Sequence, residues 1–256
     1  MATRYSPKIV TDNLILCLDA GNIRSYSGSG TKWSDLSGSD FDATITGATW
    51  QNHNNASNLY GTGAPVFDFD GSNDEVNNSK KPSTGLLEAS YCFWIRLDDW
   101  MGTGGAYKQF YCEESAIWIA NYQDKIGFDV NNGSAWVDSN GGVNDGLQIT
   151  VPDSNQTNTW LYVVMVFAGS SGSLSANFKG YLDGDVNFNV TTSFSSGSAA
   201  QVNSISGDVM EIGHRDDGGA GTFLNGQIGS VKIYNKALSA QEVRQNYEAQ
   251  KGRFNK

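Results

Sequence analysis

Residues 226–250 read GQIGSVKIYNKALSAQEVRQNYEAQ. A strand-like run, Ile228 to Tyr234, is followed at once by the signature of a capped helix. Ser239 fits the N-cap and Glu242 the N3 position of a capping box, in which each side chain satisfies a backbone N–H of the other residue. Leu238 and Val243 then fall at the two positions of a hydrophobic staple, and Val243 and Tyr247 lie four apart on one face. A helix of this length, about residues 240–250, is too short to persist alone in water. It has to dock, and an open sheet edge or end, which otherwise invites unwanted pairing, is the expected place.

Upstream, the chain reads as strand and turn. SYCFWIRL (90–97) places Tyr91, Phe93, Ile95 and Leu97 on one face and Cys92, Trp94 and Arg96 on the other. WLYVVMVFA (160–168) is apolar on both faces, as a central strand covered on both sides must be. AIWIAN (116–121), KIGFDV (125–130), SAWVDS (134–139) and LQITV (147–151) follow the same pattern, with Gly, Asn, Asp and Ser between them. Short strands at such spacing indicate a sandwich or barrel. In FKGYLDGDVNFNV (178–190), Asp183-Gly184 fits a two-residue hairpin turn with positive φ at both residues, pairing Tyr181 and Leu182 back towards Val186 and Phe188. The Ser/Gly-rich SFSSGSAAQVNSISG (193–207) reads as a surface loop, and no linker or repeat divides residues 1–256. The expectation is a single all-β unit, an antiparallel two-sheet sandwich closed by a short helix.

Bulk properties agree. The 256 residues include seven Trp, eleven Tyr and twelve Phe, enough to fill a large core. Thirty Gly against four Pro suit tight turns. The net charge of −10, without a basic stripe, argues against nucleic acid as a partner. No apolar run reaches transmembrane length, and residues 1–13 lack the apolar centre of a signal peptide. Cys17, Cys92 and Cys112 each lie in an apolar run without metal-binding spacing, which fits reduced, buried thiols and folding in a reducing cytoplasm.

Taken in order, LILCLDAGNIRSY (14–26), WSDLSG (33–38), VFDFDGSNDEV (66–76), SYCFWIRL, GYLDGDV (180–186) and IGSVKIYNKALSAQEV (228–243) resemble a laminin-G-like, concanavalin A-like jelly-roll domain, over roughly Val10 to Tyr247. The most specific part is FLNGQIGSVKIYNKALSAQEV (223–243), which matches the family's closing strand and helical turn. The opening LDAGNIRSYSGSGTKWSDLSG (18–38) is similar to a subset common among tailed-phage virion proteins. The resemblance implies a non-enzymatic structural or adhesive part of a virion, in capsid decoration or a tail fibre or spike. It would sit at the virion surface in many copies beside other virion proteins and touch host-surface glycans. The alternatives are a free, calcium-dependent carbohydrate-binding lectin module and, less well supported, a glycoside hydrolase.

Site chemistry is sparse. Glycoside hydrolysis needs two carboxyl groups about 5 Å apart for retention or roughly 6.5–9.5 Å apart for inversion. The E-x-D-x-x-E strand that resembles the family's hydrolase signature is absent, and Glu113-Glu114 are adjacent, so they point to opposite faces of a strand. The two histidines, His53 and His214, neighbour no nucleophile motif and read as polar loop residues, His214 hydrogen-bonded locally. So few histidines with scattered cysteines argue against zinc. Calcium is the one cofactor with candidate ligands. FDFDGSNDEV places Asp68, Asp70 and Asp74 around a glycine turn, and the resemblance implies Asp70 and Asp74 as ligands at the sandwich rim. The competing reading makes them Asx-turn residues that accept backbone N–H bonds. Asp216 and Asp217 form a second acidic loop. Sugar stacking needs exposed aromatic faces. Trp33, Trp50, Trp100 and Trp136 lie near loop-like segments and are the candidates, whereas Trp94, Trp118 and Trp160 read as core.

Overall fold

In a computed structural model of the chain, residues 7–52, 65–98, 100, 107–114, 116–122, 124–131, 147–152, 157–168, 178–185, 190–192, 202, 209–215 and 222–256 are described. In chain order the strands are β1 (Leu14–Asp19), β2 (Lys32–Trp33), β3 (Ala43–Thr46), β4 (Thr49–Gln51), β5 (Val66–Asp70), β6 (Glu75–Asn78), β7 (Glu88–Leu97) and β8 (Lys108–Glu113). They continue with β9 (Ile117–Tyr122), β10 (Lys125–Val130), β11 (Leu147–Thr150), β12 (Leu161–Ala168), β13 (Phe178–Leu182), β14 (Val190–Thr192), β15 (Met210–Ile212) and β16 (Asn225–Tyr234). Helix α1 (Ala240–Gln250) and a 3-10 turn (Lys251–Phe254) close the chain.

Two antiparallel sheets form the expected sandwich. One runs β13-β12-β7-β16-β5-β4, with β1 also paired to β16; the other runs β14-β11-β10-β9-β8-β15-β6-β3-β2. Their facing surfaces share one core. Tyr91 and Phe93 of β7 pack on Tyr111 of β8, and Tyr91 on Phe128 of β10, with ring centroids 5.3–5.9 Å apart. Alternation assigns the faces of β7 as expected: Tyr91, Phe93, Ile95 and Leu97 join the inner core, while Cys92 and Trp94 join a second apolar cluster on the outer side. All three cysteines are buried and in no disulfide, and burial pushes the thiol of Cys92 up to about 12.

Strand β16 organises its sheet. Along one edge it pairs with β7 from Gly226 to Tyr234. Along the other, residues 225–228 pair with β5 and residues 230–234 with β1. The changeover is a bulge at Gly229, whose carbonyl accepts the N–H of Ala20, just past the end of β1. A side chain at Gly229 has no room: a Cβ there would lie 2.4 Å from the ring of Phe254.

The closing helix caps as its sequence requires. The Ser239 side chain accepts from the Glu242 N–H, and Glu242 accepts from the Ser239 N–H. Its docking place differs from the expected edge or end. Val243, Tyr247 and Phe254 cover the outer face of the seven-stranded sheet, in one cluster with Trp94, Trp160, Tyr162 and Leu238. Phe254 stacks on Trp94 at 4.3 Å and 12°. The reason is visible in the strands: β7 and β12 present apolar residues outward as well as inward, and that second face needs its own cover. Beyond the helix, the same outer face turns polar, where Arg96 bonds Asp98, Gln227 and Asn158.

The Asp183-Gly184 turn has positive φ at both residues, 51° and 77°. Its return run, 186–189, lies outside the described residues. The expected surface loop 193–207 is described only at Val202, which is buried in the core and bonds the backbone of Leu86 and Gly85. Trp94 and Trp160 are core, but Trp118 is only partly buried and carries Arg215 over its ring at 4.0 Å.

Replacing Phe254 with Ala should cost about 3–5 kcal/mol in urea unfolding, because it opens a cavity beneath the helix. Ser239→Ala should cost about 1 kcal/mol. A Phe254→Ala loss as small as that of the cap would show that the outer cluster does not hold the sheet.

Candidate binding and metal-ligating sites

At the rim, the turn that follows β1 and the edge strand β4 form a depression of about 180 Å³. The turn is tight: the Asn22 carbonyl accepts from both the Ser25 and Tyr26 N–H groups. It is anchored by Asp19, which takes two bonds from the Arg253 guanidinium at 2.7 and 2.8 Å. Burial alone would raise the Asp19 carboxyl, but the paired bonds outweigh it and hold it below its ordinary range. Trp50 stands in the wall, half-buried, with its indole N–H donated to the Ala20 carbonyl at 3.0 Å and its ring beside Tyr26. Gly21, Ser27 and Asn52 add polar edges, and Ile23 is 78% exposed at the lip. A partly open indole beside polar groups is the arrangement that sugars and small apolar side chains use.

Of the other aromatic candidates, Trp33 is wholly buried, packed on Phe67 at 4.6 Å, and Trp100 is buried in the same core. Neither presents a face to a ligand; both serve as lids over the core. Trp136, with SAWVDS, lies outside the described residues, as do His53, Asp216 and Asp217.

Asp70 and Asp74 share one turn, as their spacing suggests. Asp74 accepts the Asp70 N–H at 2.8 Å, and Asp70 accepts the Ser72 N–H at 2.8 Å. Burial, and then the nearby charges of Asp70 and Asp68, push the Asp74 carboxyl up. Each carboxylate therefore already holds the backbone of its own turn, Asp70 in Asx-turn geometry and Asp74 by reaching back four residues. Asp68 turns away to accept from Gln227.

The sequence does not show that Glu75, Glu211 and His214 meet. β15 lies between β6 and β8, with Glu211 opposite Asn77. Met210 and Ile212 point into the core, so Glu211 points out, on the same side as Glu75. Gly213 adopts φ +83°, where a Cβ would strike Phe69 at 2.5 Å, and this turn delivers His214 to the two carboxylates. His214 Nδ1 is 3.4 Å from Glu75 Oε2 and 3.9 Å from Glu211 Oε1. The three ligand atoms lie within 4.8 Å of one another, so the two glutamates are at least as close as a retaining pair. They stand side by side on neighbouring strands, however, with an imidazole between them and Glu211 only 3% exposed.

Glu113 is the other unusual carboxyl. It points into the sandwich, fully buried, and accepts from the Ser83 N–H and hydroxyl and from the Tyr111 hydroxyl. Burial raises its pKa, and these bonds only partly offset that.

A family model described as the concanavalin A-like lectin/glucanases superfamily matches residues 70–244, more than half of the chain. Among solved structures, the receptor-binding domain of botulinum neurotoxin D is 15% identical, with a TM-score of 0.58, over 94% of this chain and 53% of that one. The binding domain of botulinum neurotoxin DC, in complex with rat synaptotagmin II, is 13% identical, with a TM-score of 0.62, over 94% and 52%. The type G receptor-binding domain is 13% identical, with a TM-score of 0.55, over 93% and 52%. The chain thus spans about half the length of these structures, and at such identity the likeness is one of fold. No curated protein matches the chain.

Because the folded state raises the Glu113 pKa, its stability contribution is complete below the ordinary carboxylate range and is lost as pH rises through the folded value. The unfolding free energy of the wild type relative to Glu113→Gln should therefore fall as pH rises from about 4. Taking the difference cancels the opposite trend of Asp19. A flat difference would mean that Glu113 ionises as freely folded as unfolded.

Proposed function

The chain belongs to the concanavalin A-like lectin/glucanase superfamily, and we propose that within it this protein acts by contact and not by catalysis, docking a glycan at the rim depression beside Trp50. The observation that carries this reading is the half-buried Trp50, fixed through its N–H to Ala20 and flanked by the exposed Ile23 and polar Ser27 and Asn52. An indole held rigidly gives contact area at little conformational cost. Against catalysis stands the placing of the carboxylates. Glu75 and Glu211 have His214 lodged against them, and Glu113 is sealed inside the core.

The finer reading is a virion-surface subunit, made in the host cytoplasm and held in many copies beside other virion proteins. Its support is local. Residues 18–38, which carry the resemblance to tailed-phage virion proteins, include Ala20, Gly21, Ile23, Tyr26 and Ser27 of the depression. The toxin domains of similar fold are named as receptor-binding domains, which agrees with a fold put to work in binding.

On a glycan array the intact chain should retain a defined set of sugars, and Trp50→Ala should weaken that binding by roughly tenfold or more while leaving the melting temperature within a few degrees. The same array with chelator asks whether calcium at Asp70 and Asp74 takes part. Equal binding by Trp50→Ala would remove the depression from the account, and release of reducing sugar from a bound glycan would replace contact with hydrolysis. For the virion reading, the chain should be present in stoichiometric copies in purified particles; its absence from them would end that reading.

A further inference from the structure

We infer that Glu75, Glu211 and His214 form a binding site for a divalent transition-metal ion, zinc in the first instance. This inference is independent of the glycan-binding role, which uses other residues. It begins with one atom. His214 is 7% exposed, and its Nδ1 has no hydrogen-bond partner, although it points at two carboxylates. A buried ring nitrogen without a partner is costly, and native structures rarely leave one so. The contacts at 3.4 and 3.9 Å bring Nδ1 and the two oxygens close without satisfying hydrogen-bond geometry. They approach metal-ligand geometry: ligands about 2.1 Å from a tetrahedral zinc ion sit roughly 3.4 Å from one another. One of the three contacts is already at that distance, the second needs a closure of roughly half an ångström, and the two carboxylates, within 4.8 Å of each other, need at most roughly 1.4 Å.

The surroundings are built to hold the three groups. Asn77 donates to Glu75 Oε1 at 3.0 Å, leaving Oε2 turned towards His214. The imidazole lies flat on Phe223, with centroids 3.9 Å apart and planes 9° apart. The Leu224 N–H donates to the Gly213 carbonyl at 2.8 Å and so locks the segment carrying Phe223, just ahead of β16, to the turn carrying His214. Positioning contacts of this kind behind Glu75 and His214 are what a metal centre needs. Glu75 is partly exposed, so an ion reaches the cluster from solvent. Two carboxylates and one neutral imidazole balance a dication, and a nitrogen ligand favours zinc over calcium or magnesium, which take oxygen.

The test uses the tag-free, metal-stripped full chain titrated with Zn²⁺ by calorimetry, with Ca²⁺ as the comparison. The expected result is one zinc per chain, a higher melting temperature with zinc, and no comparable effect of calcium. His214→Gln and Glu211→Gln should each weaken zinc binding by roughly tenfold or more, while His53→Gln leaves it unchanged. No binding by the wild type would overturn the site, as would equal binding by His214→Gln, loss of binding in His53→Gln, or tighter binding of calcium than of zinc. If His214→Gln does not fold, imidazole ¹⁵N spectra of the wild type decide. Zinc should move the Nδ1 resonance of His214 and not those of His53, and an unmoved His214 would show the cluster to be a metal-free hydrogen-bonding triad.

Discussion

The sandwich depends on one strand being satisfied on every side. β16 has partners along both edges and packed side chains on both faces. No edge of it remains to pair with another chain, and its buried backbone groups find their bonds within the sheet. The bulge at Gly229 allows this, because it lets one edge serve β5 and then β1. The same glycine leaves room for Phe254 to lie flat against the sheet. β1 comes from the start of the chain and β16 from near its end, so this centre closes through contacts of very long sequence separation. The N-terminal segment adds to the closure: the Val10 N–H donates to Asn246, and the Tyr234 hydroxyl donates to the Val10 carbonyl.

Much of this was legible where the physical signal is local. Alternation in residues 90–97 assigned both faces of β7, and S-x-x-E at 239–242 fixed the start of the helix, because caps and pleats depend on near neighbours. The docking place of the helix was not local. It follows from apolar residues on the outer faces of five strands, which sequence periodicity reports as burial without saying by what. Tryptophans divided for the same reason: Trp33 and Trp50 look alike in sequence, yet one lies under the sandwich rim and the other in its wall. His214 was expected to bond locally, but its neighbours are carboxylates from β6 and β15, 136 residues apart along the chain (Glu75 and Glu211). Spacing rules cannot register such a cluster. The only clue nearby was Gly213, ahead of a polar loop.

The two candidate sites lie at the rim and on the nine-stranded sheet. The turn at residues 20–27 and β4 shape a small depression, and their position is inherited from β1 and β5, the two strands that share an edge of β16. The glutamate–histidine cluster is held by β6 and β15 and by the turn at Gly213. The depression lies at a loop and an edge strand, and the cluster on two interior strands and the turn after them, each fixed by a rigid ladder.

The central claim is that β16 and the helix that covers it behave as one cooperative unit. Native-state hydrogen exchange measures this directly. Amides of Ile228, Val231 and Ile233 and those of Tyr247 and Glu248 should exchange with the same opening free energy and merge into a single isotherm with denaturant. Helix amides that open well below the strand amides, with β16 still protected, would contradict it.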